Sequence, residues 1–333
     1  MKKPTLYFFS TKSYEQKAFE SSSLIKKFRP HFLPHRLDKI SALSVKDHSL
    51  ICAFASDNLG EETLNILHEK KVQFILLRSA GFNHVDLETA KKLDIRIARV
   101  PAYSPESIAE HTVGLMLSLS RKIHKAYNRV REGNFSLEGL TGFCFHGKTV
   151  GIIGAGKIGV ATAKILKGMG CHILIYDIEE REEFKRLGFI FADKHEVFAK
   201  SDIISLHCPL TPQTHQIIDE QALGKMKDGI MLINTGRGGL VDTKALVGAL
   251  KNKKIGSLGL DVYEEEESLF FQDLSGDIIH DDLFARLLTF PNVLITGHQA
   301  FLTWEALENI AQTTLQNGLS FLEQKECLNQ VKI

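Results

Sequence analysis

Short apolar runs alternate with amphipathic, more polar stretches along almost the whole chain. In the first hundred residues the apolar runs lie at 5–9, 50–54, 74–77 and 95–99, and each run before the last leads into a helix-like stretch. Such alternation predicts parallel strands joined by helices. We therefore expect a small α/β domain with a parallel sheet in this part of the chain.

Two prolines interrupt this pattern. Pro101 and Pro105 fix the local backbone, so we place a domain crossing here. A long helix is predicted to follow, with Ser104 as its cap and Pro105 at its first position. Its later part, residues 113–130, passes from strongly apolar to basic. That part either packs against a partner subunit or packs within the monomer, and the pattern favours neither.

A glycine-rich turn follows the next apolar run. Residues 149–153 predict a buried strand, Gly154-x-Gly156-x-x-Gly159 comes directly after it, and an amphipathic helix over 158–167 opens at once. In a dinucleotide-binding turn the first glycine makes the tight bend, the second admits a pyrophosphate, and the third lets the helix pack on the sheet. A glycine turn without ligand is the alternative, but the strand and helix on either side favour the nucleotide site.

An acidic residue ends the following strand. Residues 172–176 are apolar and stop at Asp177. A carboxylate at this position accepts hydrogen bonds from the adenosine ribose and repels a 2′-phosphate, so Asp177 indicates NAD as the cofactor. A surface acid without a role is the alternative.

Further strands are expected at 202–207, 230–234, 257–262 and 293–296, with helical segments between the first three. Together they predict a doubly wound sheet, whose ligand crevice lies beyond the carboxyl ends of the strands. The polar residues of interest all follow those ends.

Three kinds of side chain in this crevice suit the reduction of a ketone. Arg237 lies in a glycine-rich turn after one strand, four acids at 264–267 follow the next, and His298 follows the last. An arginine fork can hold a carboxylate, and a histidine with an ordinary pKa near 6.5 can protonate a new alkoxide. A carboxylate on the far nitrogen would keep the imidazole protonated. Each of the three has an alternative when it is considered alone. The arginine could form a structural salt bridge, the acidic run could be a solvated surface, and the histidine could have no catalytic role.

The chain resembles the D-isomer-specific 2-hydroxyacid dehydrogenase family almost from end to end. The resemblance rests on LRSAGFNHVDL, VPAYSPESIAEH, NFSLEGLTGF, SLHCPLTP, NTGRGGLVD, LGLDVYEEE and TGHQAF. Among its members, the bacterial fermentative D-lactate dehydrogenases are the most similar, particularly in FSLEGLTGF and TGHQAFLT.

This resemblance implies roles for individual residues. It implies Arg237 as the catalytic arginine, His298 as the proton donor and Glu266 as the acid that partners the histidine. It implies substrate contacts from Tyr103, Arg237, Phe301 and the backbone amides of Ala80 and Gly81, with Phe54 as a further wall. The implied cofactor contacts are Gly154, Gly156, Lys157, Ile158, Gly159, Asp177, Cys208, Pro209, Thr235, Gly236, Arg237 and Asp261.

Composition restricts the partners. With 41 basic and 40 acidic side chains the formal charge is +1, which gives no reason to expect nucleic acid or an anionic membrane. We expect neither a signal peptide nor a spanning segment, and no metal. The five cysteines are scattered and odd in number, which favours small core residues in a reducing cytoplasm.

The expected architecture is α/β, with two Rossmann-like or flavodoxin-like domains, doubly wound parallel sheets and a cofactor cleft between them. Residues 1–101 plus 300–333 would form a discontinuous substrate domain and 102–299 the NAD-binding domain. The expected reaction is NADH-dependent reduction of pyruvate, a small 2-keto acid, to D-lactate by a homodimer or higher homo-oligomer. The alternatives are a dehydrogenase for a larger D-2-hydroxy acid, or an NAD(H)-sensing corepressor like the C-terminal-binding proteins.

Overall fold

The computed structural model describes residues 3–332, apart from the side chain of Glu267, and divides into two compact units. Unit 1 runs up to Ser104 and resumes at Leu302, and unit 2 spans Pro105–Phe301. The first boundary lies beyond the expected crossing at 101/102, because the Asn309 side-chain amide donates to the Tyr103 carbonyl at 2.7 Å and ties this segment to unit 1.

Unit 1 is built on a five-stranded parallel sheet with the order β2-β1-β3-β4-β5. This is the flavodoxin-like strand order, and the expected fold class is confirmed. The edge strand β2 was missed because its sequence, RPHF, is polar and largely exposed. The strands are β1 (Thr5–Phe8), β2 (Arg29–Phe32), β3 (Leu50–Ala53), β4 (Phe74–Leu77) and β5 (Arg96–Ala98); the helices are α1 (Ser13–Ser21), α2 (Glu61–Glu69) and α3 (Leu87–Lys92).

Unit 2 opens with two helices where the sequence predicted one. They are α4 (Pro105–Arg121) and α5 (Ile123–Arg131), separated by Lys122 in a left-handed conformation with φ of 53°. The apolar part of α4 packs within the monomer, since Leu115, Met116 and Leu119 are buried in its core. No residue of α5 is buried. The prediction of a continuous helix was therefore wrong, and its two halves have different environments.

The sheet of unit 2 has seven parallel strands in the order β12-β11-β10-β9-β6-β7-β8. This is the doubly wound Rossmann order with one added strand, and the chain reverses direction across the sheet between β6 and β9. The strands are β6 (Thr149–Ile153), β7 (His172–Tyr176), β8 (Ile190–Phe191), β9 (Ile203–Leu206), β10 (Ile230–Asn234), β11 (Ile255–Leu260) and β12 (Val293–Ile295).

Helices cover both faces of this sheet, so its central strands are buried on both sides. Val150, Ile152 and Ile153 of β6 are all fully buried, which explains why the strand reads as a continuous apolar run. The helices are α6 (Lys157–Gly168), α7 (Glu182–Arg186), α8 (Lys194–Lys200), α9 (Glu220–Lys225), α10 (Thr243–Lys251) and α11 (Asp282–Leu288).

The chain then returns to unit 1 through α12 (Trp304–Leu322), which begins at Thr303, whose hydroxyl accepts from the Ala306 amide. The buried face of α12 includes Leu307 and Leu315, and burying one leucine contributes roughly 1.5–3 kcal/mol. Beyond α12, the Val331 amide donates to Ile97 at 2.8 Å, so the terminal segment covers the edge of β5.

The cysteines are unpaired in the structure. Cys52, Cys171 and Cys327 are buried as expected, Cys208 is half-buried, and Cys144 is exposed, which corrects its prediction as a core residue. Within residues 3–332 no cluster of His, Cys, Asp and Glu side chains is arranged to hold a metal ion. In the same residues, no helix combines the length and apolar character needed to cross a membrane.

Candidate functional site

Close approach of neighbouring atoms requires glycine at two of the three motif positions of unit 2, and the third lies next to open space. Gly154 has a φ of +92°, and a Cβ there would lie 2.4 Å from the Cys208 nitrogen. A Cβ on Gly159 would lie 2.1 Å from the Gly154 carbonyl oxygen, so only glycine lets α6 approach the strand. Gly156 faces open space. The loop therefore leaves room above Gly156 for a pyrophosphate, next to the free amides that open α6.

Asp177 lies directly after β7 and contacts this loop. Its carboxylate accepts from the Ala155 amide and from the Ile178 amide, both at 2.7 Å. The acid is 22% exposed, so one side of it faces the space beside the loop. The position fits the ribose of a bound NAD.

The other residues predicted to contact the cofactor also follow strand ends. Cys208 and Pro209 come after β9, and burial raises the pKa of the Cys208 thiol to about 11, so it is a neutral neighbour of the loop. After β10, the Thr235 hydroxyl lies 2.8 Å from that of Thr112, and the Gly236 amide donates to the Asn234 side chain at 3.0 Å. Lys157 and Ile158 begin α6, with Lys157 exposed.

A histidine–carboxylate pair lies at the ends of β11 and β12. The Nδ1 atom of His298 is 2.8 Å from Oε1 of Glu266, and the side chains are 22% and 21% exposed. The other Glu266 oxygen accepts from the Tyr263 amide at 3.0 Å, which fixes the carboxylate from its own loop. Glu264 instead accepts from Gln216 and Thr243. Of these two acids, only Glu266 contacts the imidazole.

Asp261 holds the backbone that carries His298. Its carboxylate accepts from the amides of Gln299 and Ala300 at 2.9 and 2.8 Å, and its carbonyl accepts from the His298 amide at 2.8 Å. His298 itself is left-handed, with φ of 53°, a conformation that needs such support. The cofactor contact of Asp261 stays a prediction.

Two residues that the sequence analysis missed complete this network. The Thr296 hydroxyl donates to Asp261 at 2.5 Å, and Nε2 of His111 lies 3.4 Å from the same oxygen. Burial by itself would raise the pKa of Asp261, but the hydrogen bonds from His111, Thr296 and the two amides lower it overall. No local pattern marks His111, because it lies on α4, far from Asp261 in the chain.

Arg237 presents most of its donors to open space. Its Nη1 donates to the Gly236 carbonyl at 2.7 Å, and its own carbonyl accepts from the Asn234 side chain at 2.8 Å. Among the described residues the remaining guanidinium N–H groups have no acceptor. The side chain is half-buried, so this fork is available to a planar anion such as a carboxylate.

An aromatic side chain that the sequence analysis did not single out lies beside His298. The ring of Phe271 is 5.6 Å from the imidazole, and its backbone is left-handed with φ of 64°. The predicted pocket residue Phe301 is also in unit 2 and is buried. Of these two rings, that of Phe271 lies against one side of the imidazole.

In unit 1, the loop after β4 presents two backbone amides. The carbonyl of Ala80 accepts from Nη1 of Arg99 at 2.7 Å, and that of Gly81 accepts from the Ser79 hydroxyl at 2.8 Å. The amides of Ala80 and Gly81 have no acceptor among residues 3–332. The loop is therefore held by its carbonyls, and its amides can bind an anion. Arg99 is a further residue that sequence analysis missed.

The two remaining predicted residues of unit 1 differ in their surroundings. Tyr103 is half-buried and is held through its carbonyl. The ring of Phe54 lies 5.0 Å from the buried guanidinium of Arg78, which pairs with Glu15 at 2.7 Å. Phe54 thus packs on the arginine of a buried ion pair, and its role as a wall of the pocket stays a prediction.

The fold and these strand-end residues define an NAD-binding α/β dehydrogenase. Residues 113–300 match the model of the D-isomer specific 2-hydroxyacid dehydrogenase, NAD binding domain. The D-lactate dehydrogenase of Escherichia coli is 49% identical over 324 residues, covering 97% of this chain and 98% of that protein. The chain belongs to the D-isomer specific 2-hydroxyacid dehydrogenase family.

Solved structures agree with this assignment. The structure reported for the pyruvate reductase of Chlamydomonas reinhardtii is similar with a TM-score of 0.93 and 41% identity, covering 98% of both chains. The apo-structure of D-lactate dehydrogenase from Escherichia coli is similar with a TM-score of 0.90 and 45% identity, over 98% of this chain and 100% of that one.

Proposed function

We propose that this enzyme reduces pyruvate to D-lactate with NADH and catalyses the reverse reaction. The observation that carries the proposal is the contact between His298 and Glu266 at the carboxyl edge of the NAD-binding sheet, with Arg237 on a neighbouring loop. Similarity to a D-lactate dehydrogenase and a pyruvate reductase supports the choice of substrate.

In this proposal the guanidinium fork of Arg237 binds and orients the substrate carboxylate. The amides of Ala80 and Gly81 bind the same group. The bound nicotinamide supplies the hydride. His298 donates the proton on Nε2 to the carbonyl oxygen as negative charge develops there, because Nδ1 is engaged by Glu266. The Glu266 carboxylate stabilises the imidazolium before the transfer, and the neutral ring accepts the proton in lactate oxidation.

We propose that two aromatic side chains restrict the size of the substrate. Tyr103 and Phe301 would leave little room for a substrate side chain larger than a methyl group. Two alternatives compete with this proposal. The first is an enzyme of the same family that prefers a larger 2-keto acid. The second is an NAD(H)-sensing protein that binds the cofactor without turnover.

The decisive experiment is NADH oxidation with a panel of 2-keto acids, followed by chiral analysis of the products. Pyruvate should have the highest kcat/KM and give D-lactate. A preference for 2-ketoisocaproate, or formation of L-lactate, would contradict the substrate assignment. Tight NADH binding without turnover of any acid would instead favour the sensing role.

Asp177 leads us to propose NADH as the preferred cofactor, by at least about tenfold in kcat/KM over NADPH, on the order of 1.4 kcal/mol.

We also place the enzyme in the cytoplasm, in fermentative re-oxidation of NADH. The three buried, unpaired cysteines agree with a reducing compartment.

We further propose that the enzyme is a homo-oligomer, at least a dimer, assembled through α5 and the segment that follows it. Ile123, Tyr127, Phe135 and Leu137 are 55–80% exposed on this surface, more apolar area than scattered surface residues explain. Two copies related by a two-fold axis would bury these apolar side chains against each other.

A further inference from the structure

The loop between β7 and α7 carries a cation next to the acid that indicates NAD. Nη2 of Arg181 lies 3.8 Å from Oδ2 of Asp177, and the guanidinium also donates to the carbonyl of Ala155. Asp177 accepts from the amide of that same alanine at 2.7 Å. Asp177 and Arg181 therefore both contact Ala155, the residue between Gly154 and Gly156 in the glycine-rich loop.

Arg181 is held in this place by packing. Its guanidinium carbon lies 4.7 Å from the ring centroid of Phe184, a fully buried residue of α7. Stacking on an aromatic face fixes the plane of the guanidinium without using its N–H donors. The cation is thus kept beside the loop and does not extend into solvent.

Most of the donors of Arg181 remain available. A guanidinium has five N–H donors, and among the described residues only those on Nη2 contact acceptors. The side chain is 41% exposed, against 22% for Asp177. A cavity of about 460 Å³ lies alongside Gly156 and Arg181, and its lining includes both the cation Lys157 and the acids Glu106, Glu110 and Glu183. Because Nη2 of Arg181 lies 3.8 Å from Oδ2 of Asp177, an anionic group bound beside Asp177 could reach the free N–H groups of the guanidinium.

We propose that Arg181 is a second determinant of cofactor choice and gives the site a residual capacity for a 2′-phosphate. An acid at the end of this strand repels that phosphate, whereas an arginine nearby accommodates it. This chain carries both, so the charge of Arg181 offsets part of the repulsion by Asp177. NADPH is then a poor cofactor and not an excluded one. The inference rests on the NAD site of the family and not on the identity of the keto acid.

Nucleotide binding to the cofactor-free protein tests this without any turnover. Adenosine 2′,5′-bisphosphate and adenosine 5′-monophosphate are titrated calorimetrically into wild type, Arg181→Gln and Arg186→Gln. Arg186 is the matched control, because it loses the same charge from an exposed position on α7. In Arg181→Gln the affinity ratio of bisphosphate to monophosphate should fall roughly tenfold, as expected for one charge-assisted contact. In the control it should change by less than about twofold.

A double-mutant cycle separates the two side chains. Asp177→Ser should raise the bisphosphate to monophosphate ratio by roughly tenfold, and adding Arg181→Gln should remove that gain. The ratio of kcat/KM for NADPH and NADH should follow the same order. A gain that survives in the double variant, or equal effects of the Arg181 and Arg186 substitutions, would overturn the proposal. Failure of both nucleotides to bind would overturn the cofactor site itself, whichever keto acid the enzyme reduces.

Discussion

Glu266 and His298 are in direct contact, with Oε1 and Nδ1 2.8 Å apart, although 32 positions separate them in the chain. The carboxylate holds one ring nitrogen, and Nε2 remains available for a reacting oxygen. The carboxylate therefore fixes the orientation of the imidazole, as a positioned general acid or base requires.

Replacing Glu266 by Gln should lower kcat for pyruvate reduction. The neutral amide can still accept a hydrogen bond from Nδ1 of His298, but the charged partner of the imidazole is lost. We expect kcat to fall on the order of tenfold, as for the loss of one charge-assisted contact. Steady-state kinetics of pyruvate reduction by wild type and variant measure it.

Glu264→Gln is the matched control, because Glu264 belongs to the same acidic run but contacts Gln216 and Thr243. It should leave kcat near the wild-type value. An unchanged kcat in Glu266→Gln, or a loss only in Glu264→Gln, would show that the partner carboxylate has been wrongly assigned.

Replacing Arg237 by Lys tests whether the planar guanidinium of this residue orients the substrate carboxylate. Lysine keeps the charge but loses the planar pair of donors that orients a carboxylate, so the substrate is bound less firmly and at the wrong angle. We expect kcat/KM for pyruvate to fall on the order of 10²-fold, with a loss in kcat as well as a higher KM. Steady-state kinetics on Arg237→Lys and the surface variant Arg186→Lys measure it. Near-normal kinetics in Arg237→Lys would remove this residue from the site.

Arg99→Gln should weaken substrate binding through the loop after β4. The Arg99 guanidinium holds the carbonyl of Ala80 at 2.7 Å, and its loss would release the loop whose amides we propose to bind the substrate carboxylate. We expect the KM for pyruvate to rise roughly tenfold with a smaller change in kcat. Arg96→Gln is the control, because Arg96 stacks on Phe74 and Phe321 and does not contact the loop. Equal KM changes in the two variants would indicate a general effect on unit 1.

Asp261→Asn should destabilise the segment that carries His298. An asparagine has one acceptor oxygen where the carboxylate has two, so one amide of residues 299–300 loses its partner, at about 1–3 kcal/mol. Activity should fall with stability, because the left-handed His298 depends on these bonds. Urea unfolding of wild type and variant, together with kcat, measures both.

The difference in stability between wild type and Asp261→Asn should change with pH in a definite direction. Although burial opposes it, the hydrogen bonds to Asp261 lower its pKa in the folded state. Its stabilising contribution is therefore complete above the unfolded value of about 3.9 and is lost as the pH falls further, through the folded value. The difference in unfolding free energy between wild type and Asp261→Asn should be the same at about pH 7 as at about pH 5.5. It should decrease below about pH 4. A gap that instead widens in acid would contradict the assignment.

The proposed oligomer predicts a change in mass. Light scattering should give at least a dimer for wild type, and the double variant Phe135→Ser/Leu137→Ser should dissociate at concentrations where wild type does not. Both side chains are more than 70% exposed in the chain considered alone. Leu328→Ser, at an equally exposed position in unit 1, should leave the mass unchanged. A wild type that is monomeric throughout would refute the assembly.

Sequence patterns alone predicted the elements that local physics specifies. Residues 149–153, 172–176 and 230–234 were expected as strands with the bounds they have, because buried parallel strands read as unbroken apolar runs. The glycine turn was equally clear, since its residues are adjacent in the chain. Patterns failed where exposure or a single residue decides: strand β2 is polar, and the helix break depends on one left-handed residue, Lys122.

The contacts that we propose for catalysis could not be predicted from local patterns. The acidic run at 264–267 offers four carboxylates with similar local sequence, and family resemblance, not residue pattern, selected Glu266. The structure decides which acid meets the imidazole, because the loop after β11 directs Glu266 toward His298 and Glu264 toward Gln216. The chain's own sequence thus determined the sheets and the dinucleotide loop. Only tertiary structure brought Arg99 to Ala80, His111 to Asp261 and Glu266 to His298, because each contact joins residues from separate elements whose approach depends on loop paths that no local pattern encodes.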